Sequence, residues 1–409
     1  MRNTKTNITI VNTAPINGGD EALLFGTILG LKDTFESPTI NVLCNNPILT
    51  RKVIPNISFH WDWEYVFMKN VGGGNPKLFS FKQRIRKYLK RSFKSSYYTK
   101  LSQIFATSEE RKVFNILKKT DLVIVGAGGY IHDFYGYDDR LKTLRFIHDE
   151  LKVPYVVFGQ SVGPFWKESN YKNLIEVFNN AKSIFLREDI SLKHLKKIGH
   201  HCNNVYVSND VAFYLVPKYA KNVKRDKLVK NIVLNFREWS YQESSKQNLE
   251  KAITLCEFLI SSGYSLTFLS TCQGLEDYVD DSDFARNIVN SLKNEFSNSC
   301  TIVDEKMSLA EFVDFLSNQD AYIGMRLHGA ILSLIAGIPA LNIGYEDKTI
   351  GVFNKLDISK YAFSYEEDAD QWVYRAGEFL NDHQYYLDRI DSIRNNAYQS
   401  VIKNFELLK

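Results

Sequence analysis

Residues 321–344 read AYIGMRLHGAILSLIAGIPALNIG, and this stretch decides the fold class. A short apolar run at 321–324 is followed by the turn RLHG, a helix-length apolar segment and a second apolar run at 339–344. A buried strand, a buried helix and another buried strand in this order are typical of a parallel sheet covered by helices. The segment therefore predicts an α/β fold.

The same alternation recurs along most of the 409-residue chain. The strand candidates of the first half are 8–12, 39–44, 122–126, 154–159, 183–186 and 205–208, and those of the second half are 231–236, 265–270, 301–304, 321–324 and 339–344. Two such series predict two Rossmann-like, doubly wound domains that face each other across a cleft. We expect an N-terminal domain at 1–217 and a C-terminal domain at 218–409, joined by the lysine-rich stretch 217–230, with the C-terminal helices packing back on the N-terminal domain.

Composition and charge limit the classes of protein to which this chain can belong. With 44% hydrophobic and 24% charged residues, it has the composition of a soluble globular protein. A net charge of +4 is too small to indicate a nucleic-acid partner. The start lacks the apolar core of a signal peptide, and the longest apolar stretch, 330–344, is too short to span a membrane. Five scattered cysteines without CxxC spacing offer no zinc site, so we expect a cytoplasmic protein without a bound metal.

One segment departs from this ordinary composition. Residues 77–100, KLFSFKQRIRKYLKRSFKSSYYTK, are basic with interleaved aromatic and aliphatic residues, and they follow a glycine-rich loop at 72–76. Such a pattern is typical of an amphipathic helix that lies on an anionic membrane surface, and equally of a solvated helix face. If the first interpretation holds, the protein is peripheral on the inner face of the cytoplasmic membrane.

The turn RLHG places two basic side chains at the carboxyl end of a strand and the first turn of a helix. The helix dipole and the backbone N–H groups at such a position favour an anion. The Arg326 guanidinium suits a carboxylate or phosphate, and His328 can hold or deliver a proton near neutral pH. Arg187 and Arg237 follow two other predicted strands and are further candidates. The alternatives are a structural histidine and a surface ion pair of Arg187 with an acidic neighbour.

Glycine-rich or polar segments follow three more strands of the first half. These segments, at 17–26, 126–133 and 158–164, lie where open parallel sheets bind ligands. Their candidate residues are Asn17, Gly18, Asp20, Glu21, Gly128, Gly129, His132, Asp133 and Gln160. Plain helix capping or loop structure explains several of them equally well. The dinucleotide fingerprint GxGxxG is absent from the first of these turns, so NAD is disfavoured.

Taken in order, NGGDEALLFG, GAGGYIHD, FGQSVGPF, FLREDIS, SNDVAFYL and GMRLHGAILSLIAGIPALNIGYEDK resemble the polysaccharide pyruvyl transferase family over residues 8–355. The resemblance implies two Rossmann-like domains of GT-B type and transfer of pyruvate from phosphoenolpyruvate, as a ketal, to two hydroxyls of a sugar in a surface (capsular or exo-) polysaccharide. No cofactor is implied beyond this co-substrate. One departure is Val211, where the family tends to have proline after the residue that matches Asp210.

Carried over by motif, Arg187, Arg326, Leu327 and His328 form the donor pocket, with Arg237 as a further positive group. We take His328 and Arg326 as the catalytic residues, His328 being the general acid or the group that assists phosphate departure. The candidates of the first half then lie on the side of a glycan acceptor, which we expect to be lipid-linked. Two alternatives remain: a GT-B glycosyltransferase that uses a nucleotide sugar, and a non-catalytic sugar-binding scaffold.

Overall fold

Two parallel β-sheets, each covered by helices, form the protein in a computed structural model. It describes residues 6–16, 18–63, 65–66, 107–134, 136–201, 203–222, 228–238, 245–271 and 280–409. The contacts divide the chain into a first unit (Met1–Pro15, Leu31–Leu186 and Ser191–Tyr206) and a second unit (Ile16–Gly30, Arg187–Ile190 and Val207–Lys409). The predicted α/β fold class is confirmed. The sequence predicted a domain boundary after residue 217. In the structure that position lies inside the second unit, which also includes Ile16–Gly30 and Arg187–Ile190 from the first half of the chain.

Within the described residues, the sheet of the first unit has eight strands, of which the fourth, sixth and seventh are buried throughout. Its strands are β1 (Asn7–Thr13), β2 (Thr39–Cys44), β3 (Ser58–Trp61), β4 (Leu122–Val125), β5 (Gly128–Ile131), β6 (Tyr155–Val162), β7 (Ser183–Leu186) and β8 (Val205–Val207). Their order is β3-β2-β1-β4-β6-β7-β8, with β5 paired to β6. The direction in which successive strands are added reverses between β1 and β4. Ligands of open α/β sheets bind beside such a switch point, at the carboxyl ends of the strands.

The second unit repeats this topology. Its strands are β9 (Asn231–Asn235), β10 (Ser265–Leu269), β11 (Cys300–Val303), β12 (Ala321–Gly324), β13 (Ala340–Gly344) and β14 (Ala362–Ser364). They pair in parallel in the order β11-β10-β9-β12-β13-β14. The switch point lies between β9 and β12, so the RLHG turn after β12 is placed directly beside it.

Helices connect the strands and cover the sheets. They are α1 (Gly18–Thr34), α2 (Pro47–Val53), α3 (Ser108–Lys118), α4 (Asp138–Arg145), α5 (Tyr171–Asn180), α6 (Asp189–Lys197), α7 (Val216–Tyr219), α8 (Ser245–Ser261), α9 (Asp281–Ser291), α10 (Asn294–Ser297), α11 (Leu309–Ser317), α12 (Leu327–Ala336), α13 (Asp347–Lys355), α14 (Ala369–Asn381) and α15 (His383–Glu406). Among the residues that the structure describes, no helix is both long enough and apolar enough to cross a bilayer. The basic segment 77–100 lies outside the described residues, and its predicted helix stays a prediction.

Glycines on α1 let other parts of the second unit approach it closely. A Cβ at Gly26 would lie 2.5 Å from the carbonyl oxygen of Val211, and a Cβ at Gly30 would overlap the ring of Phe405 on α15. The C-terminal helix also packs on the short 3₁₀ segment Val211–Leu215. The residues that α15 contacts here, Gly30 and Val211–Leu215, thus precede residue 217 in the chain.

We predict that Gly26→Ala lowers the free energy of unfolding by about 1–3 kcal/mol, because the added methyl group meets backbone rather than a movable side chain. Gly377→Ala on α14 is the matched control, since the nearest atom to its Cβ, on the ring of Phe258, is 3.8 Å away. There the better helix propensity of alanine should stabilise the fold by about 0.5–1 kcal/mol. Urea unfolding of the two variants gives opposite signs if the close packing is real; equal effects would contradict it.

Candidate active site

A buried helix, α12, begins at the turn that follows β12. All of β12 is buried, and α12 begins at Leu327, with Arg326 as its N-cap residue in extended conformation (φ −87°, ψ 113°). The Arg326 side chain makes no capping hydrogen bond to this helix. The first N–H groups of a helix have no partner within it, and they attract anions when no side chain caps them. The start of α12 therefore offers an anion site at the switch point of the second sheet.

A buried hydrogen-bond network fixes the shape of this turn. The Tyr322 hydroxyl lies 3.1 Å from the carbonyl oxygen of Arg326 and 3.2 Å from Oδ1 of Asn235, and Asn342 donates to the same carbonyl at 3.2 Å. Burial raises the pKa of Tyr322 well above its usual value, so the hydroxyl keeps its proton. A Cβ at Gly329 would overlap this hydroxyl, which explains the glycine after His328.

The Arg326 side chain is held by a carboxylate. Its Nε and Nη2 donate to the two oxygens of Asp281 at 3.0 and 2.6 Å, the bidentate geometry of a strong ion pair. Asp281 is the first residue of α9 and its side chain is only 2% exposed. Nδ2 of Asn235 lies 3.3 Å from the same carboxylate. Arg326 thus anchors the β12–α12 turn to the start of another helix.

A second buried carboxylate lies against His328. Oδ2 of Asp210 is 2.7 Å from Nη1 of Arg187 and 3.5 Å from Nε2 of His328, and the two nitrogens are 3.3 Å apart. The side chains of Arg187 and Asp210 are 1% and 0% exposed, whereas that of His328 is 16% exposed. Asp210 also caps the 3₁₀ segment by accepting from the Ala212 N–H at 2.9 Å.

Asp210 stays ionised in this position. Burial alone would raise the pKa of its carboxyl group, but the charge of Arg187, the hydrogen bond and charge of His328 and the Ala212 N–H together hold that pKa well below its usual range. The surface ion pair considered for Arg187 does not describe it, since this residue is buried and paired with Asp210.

The start of α1 closes the other side of His328. A Cβ at Gly19 would lie 2.5 Å from Nδ1 of the imidazole, so only glycine fits there without displacing the ring. Gly18 donates its N–H to the carbonyl oxygen of Thr271 at 3.1 Å. The second unit thus brings together one glycine of the first candidate segment, Arg187, Asp210 and the RLHG turn.

The remaining candidates of the second unit have other partners. Arg237 donates to the Tyr345 hydroxyl at 3.1 Å and lies 5.1 Å from the centre of that ring. Glu21 is buried, and its carboxylate is 3.2 Å from Nζ of Lys306. Burial raises the pKa of Glu21, and Lys306 offsets part of that rise. Asp20 lies in the first turn of α1. Asn17 lies outside the described residues.

The acceptor candidates of the first unit are mostly turned inward. Gln160 is fully buried and its amide donates to the carbonyl of Gly126, so it supports the sheet edge rather than facing solvent. Asp133 accepts the backbone N–H groups of Trp166 and Lys167 at 2.6 and 2.8 Å and thereby ties two loops together. His132 is buried as well, and Gly128 and Gly129 lie within β5, the former at φ +145°. A ligand role of these residues stays a prediction.

Two residues of the site were given no partner from the sequence. Asp210 lies in SNDVAFYL, which belongs to the motif series, but nothing local shows that it faces Arg187 and His328. Asp281 has no local signal, because its partner is 45 residues away in the chain. Within the described residues, no cluster of three or more His, Cys, Asp or Glu side chains could hold a metal ion.

We predict that Asp210→Asn lowers the free energy of unfolding by about 3–5 kcal/mol near pH 7, because it removes the negative charge that faces the buried guanidinium of Arg187. The folded-state pKa of Asp210 is depressed, so its contribution is complete above the unfolded-state value of about 3.9 and is lost as the pH falls below that value. The gap between wild type and variant should therefore be constant from about pH 8 to 5 and narrow in more acid solution, as measured by denaturant titrations.

Asp304→Asn provides the control, since it breaks an ion pair with Arg286 in which both side chains are 45% exposed. Such a pair contributes little. A gap for Asp210→Asn that is as small as that of the control, or that widens in acid, would contradict the assignment of a buried, ionised carboxylate.

Comparison with known sequences identifies the family. A sequence model described as polysaccharide pyruvyl transferase matches residues 17–347. The amylovoran biosynthesis protein AmsJ of Erwinia amylovora is 30% identical over 264 residues, which cover 60% of this chain. The match spans 62% of the length of AmsJ.

Solved structures show the same fold at low sequence identity. Anabaena HepE in complex with UDP-glucose superposes with a TM-score of 0.60 at 10% identity, over 98% of this chain and 97% of HepE. The UDP-GlcNAc 2-epimerase of Methanocaldococcus jannaschii gives a TM-score of 0.55 at 14% identity, over 99% of both chains. Such identities show a shared fold and no more. The fold is of GT-B type, and the family match over most of its length shows that the chain belongs to the polysaccharide pyruvyl transferase family.

Proposed function

We propose that this chain is a transferase of surface polysaccharide biosynthesis that moves the pyruvyl unit of phosphoenolpyruvate onto two hydroxyls of one sugar. The observation that carries the proposal is His328, held between an ionised buried carboxylate and the start of α1, at the uncapped start of α12. A proton donor beside an anion site is what this reaction requires of the protein. Membership of the family supports the same conclusion.

The reaction needs one proton transfer to carbon. Protonation of the methylene carbon of phosphoenolpyruvate leaves a cation-like centre at C2, to which one sugar hydroxyl adds. Phosphate then leaves with the C2–O bonding pair, and a second hydroxyl of the same sugar adds to close the ketal ring. The two hydroxyl protons pass to solvent, phosphate or a base. The products are a pyruvate ketal and inorganic phosphate, and no oxidant or reductant takes part.

Because Arg187 and Arg326 are paired with carboxylates, they contribute less to binding of the donor anion than two unpaired guanidinium groups would. Each of Arg187 and Arg326 brings a buried carboxylate with it, so each pair adds little net charge to the site. The N–H groups at the start of α12 then provide most of the attraction for a phosphate or carboxylate group. In this proposal the arginines act chiefly by fixing the turn and the imidazole, and Leu327 is buried.

The two nitrogens of His328 have different surroundings. Nε2 faces Asp210 and Arg187, and Nδ1 lies beside the backbone of Gly19. In this proposal the ionised carboxylate orients the ring through Nε2, and the imidazole passes a proton to the donor or to its leaving phosphate. A carboxylate that orients an imidazole acting as a general acid is a common arrangement in enzymes.

We predict that His328→Ala lowers the turnover of ketal formation by about 10²–10⁴-fold, the usual contribution of a placed general acid. Mass spectrometry of glycans incubated with phosphoenolpyruvate measures the product. His201→Ala is the control, since His201 is exposed and belongs to the first unit. Both variants should keep the circular dichroism and unfolding midpoint of wild type.

The same assay separates the competing functions. Full activity of His328→Ala would remove the acid role while leaving pyruvyl transfer in place. Glycosyl transfer from UDP-glucose, or a thermal shift with that ligand and none with phosphoenolpyruvate, would contradict the proposal and favour a nucleotide-sugar glycosyltransferase. Binding of glycans without turnover of either donor would favour a scaffold.

We further propose that the acceptor is a lipid-linked glycan and that residues 77–100, which lie outside the described residues, bind the membrane surface that carries it. Their composition alone motivates this step. Each basic residue near an anionic surface contributes about 1 kcal/mol.

Reversal to Glu of the four basic residues at positions 82, 84, 86 and 87 should release the protein from anionic liposomes in a sedimentation assay. The control reverses four exposed lysines of the first unit instead, which are Lys172, Lys193, Lys196 and Lys197. Equal binding of both variants, or equal loss of binding, would contradict a specific role of the segment.

A further inference from the structure

We propose that a polar pocket at the carboxyl edge of the first sheet binds the acceptor saccharide, and that the Asn12 amide donates to one of its ring hydroxyls. This inference rests on the proposed function, which requires a sugar acceptor. The pocket has a volume of about 60 Å³ and is lined chiefly by Asn12, Asn45, Asp62, Tyr65, Tyr130 and Arg140. All of these residues belong to the first unit.

The position of the pocket is that of a ligand site. Asn12 lies near the end of β1, and Asn45 and Asp62 directly follow β2 and β3. A smaller neighbouring cavity reaches Val125 at the end of β4 and shares Asn12 with the first. The pocket therefore lies beside the β1–β4 switch point, where open parallel sheets bind ligands.

Asn12 has an unusual backbone and an unused donor. Its φ of 60° is left-handed, and the register of β1 against β2 shifts between Ile10 and Thr13. A non-glycine residue in this conformation costs free energy, and such strain often occurs at functional sites. Among the described residues, nothing accepts from Nδ2 of Asn12, although this atom is enclosed. An enclosed amide donor without a protein acceptor suits a ligand oxygen.

The charges of the pocket favour a neutral ligand. The carboxylate of Asp62 and the guanidinium of Arg140 both line it and cancel in net charge. The Arg140 guanidinium is held in place at the side of the pocket. Its Nη1 donates to the carbonyl oxygens of Tyr130 and Gly136 at 2.9 and 3.2 Å, and the guanidinium carbon lies 5.4 Å from the centre of the Tyr130 ring. Amide, carboxylate and phenol groups pair with hydroxyls, which both donate and accept. Among the described residues that line the pocket, no excess positive charge faces an anion such as phosphoenolpyruvate.

The size of the pocket limits how much of a glycan enters. A volume of about 60 Å³ compares with the roughly 10–15 Å³ that a cavity needs to hold one water molecule, so the pocket has room for a few small polar groups. One hydroxyl-bearing edge of a hexopyranose fits, and the rest of the saccharide extends outside. The pocket thus selects one sugar unit of a longer acceptor.

Asn12→Gly tests the inference, because glycine keeps the left-handed backbone and removes only the amide. Asn56→Gly is the matched control, since Asn56 is also left-handed (φ 69°) and exposed. Saturation-transfer NMR with the methyl glycosides of galactose, glucose and mannose, without phosphoenolpyruvate, measures sugar binding directly. Steady-state kinetics give the KM values for the glycan acceptor and for the donor.

We expect at least one methyl glycoside to receive saturation from wild type and from Asn56→Gly, and to bind about tenfold more weakly to Asn12→Gly, the effect of one lost hydrogen bond to a ligand. The acceptor KM should rise by a similar factor while the donor KM stays constant. Asp62→Asn, with Asp139→Asn on α4 as its control, repeats the test should Asn12→Gly show a lowered unfolding midpoint.

Unchanged sugar binding in both pocket variants would overturn the inference, and so would the absence of saturation transfer to all three glycosides in wild type. A rise in the donor KM of Asn12→Gly instead of the acceptor KM would also overturn it, by assigning the pocket to the anion. Because the NMR measurement contains no donor, it remains informative if pyruvyl transfer itself is not found. Conversely, ketal formation by a wild-type protein whose pocket variants are unaffected would leave the proposed function standing.

Discussion

The buried carboxylate of Asp210 is the constraint on which the site of the second unit depends. It pairs with Arg187, faces His328 and caps the 3₁₀ segment against which α1 and α15 pack. A buried ion pair adds little net stability, because the cost of removing both charges from water cancels most of their attraction. The pair of Arg187 and Asp210 therefore acts chiefly by positioning. It holds the imidazole of His328 at the start of a helix, next to a permanent negative charge.

Because both arginines are paired with carboxylates, the site is less positive than the sequence predicts. From the sequence, two guanidinium groups beside a helix start predict a strongly positive pocket. In the structure, Asp281 and Asp210 neutralise Arg326 and Arg187, so the backbone amides of α12 carry more of that role. Such an arrangement orders the turn before a ligand arrives, since the ion pairs and the Tyr322 hydroxyl hold it in one shape. Preorganised dipoles need no rearrangement when charge develops in the reaction.

The sequence predicted the parts of this protein that depend on local pattern. The α/β class and the β12–α12 turn follow from short apolar runs and from the residues RLHG, which need no knowledge of distant partners. Asp210 and Asp281 could not be assigned a role, because their partners are distant in the chain and meet only through the sheet order. Arg187 lies 23 residues before Asp210, His328 lies in the second half of the chain, and Arg326 lies 45 residues after Asp281. Gln160 was expected to face a ligand because it ends a predicted strand, yet that strand continues to Val162 and turns the amide inward. The left-handed backbone of Asn12 leaves no trace in a run such as ITIVNT.

The two candidate sites share one physical origin and differ in charge. Each lies at the carboxyl edge of a sheet, next to the strands between which the order reverses, where loops diverge and leave room for a ligand. In the second unit, the start of α12, which the Arg326 side chain does not cap, favours an anion. In the first unit, an amide donor and a cancelled pair of charges favour hydroxyl groups. Charge alone would then direct a donor with two anionic groups to the second unit and a neutral sugar to the pocket of the first unit. The described lining of that pocket has no excess positive charge, so it gives an anion no compensation for its lost hydration.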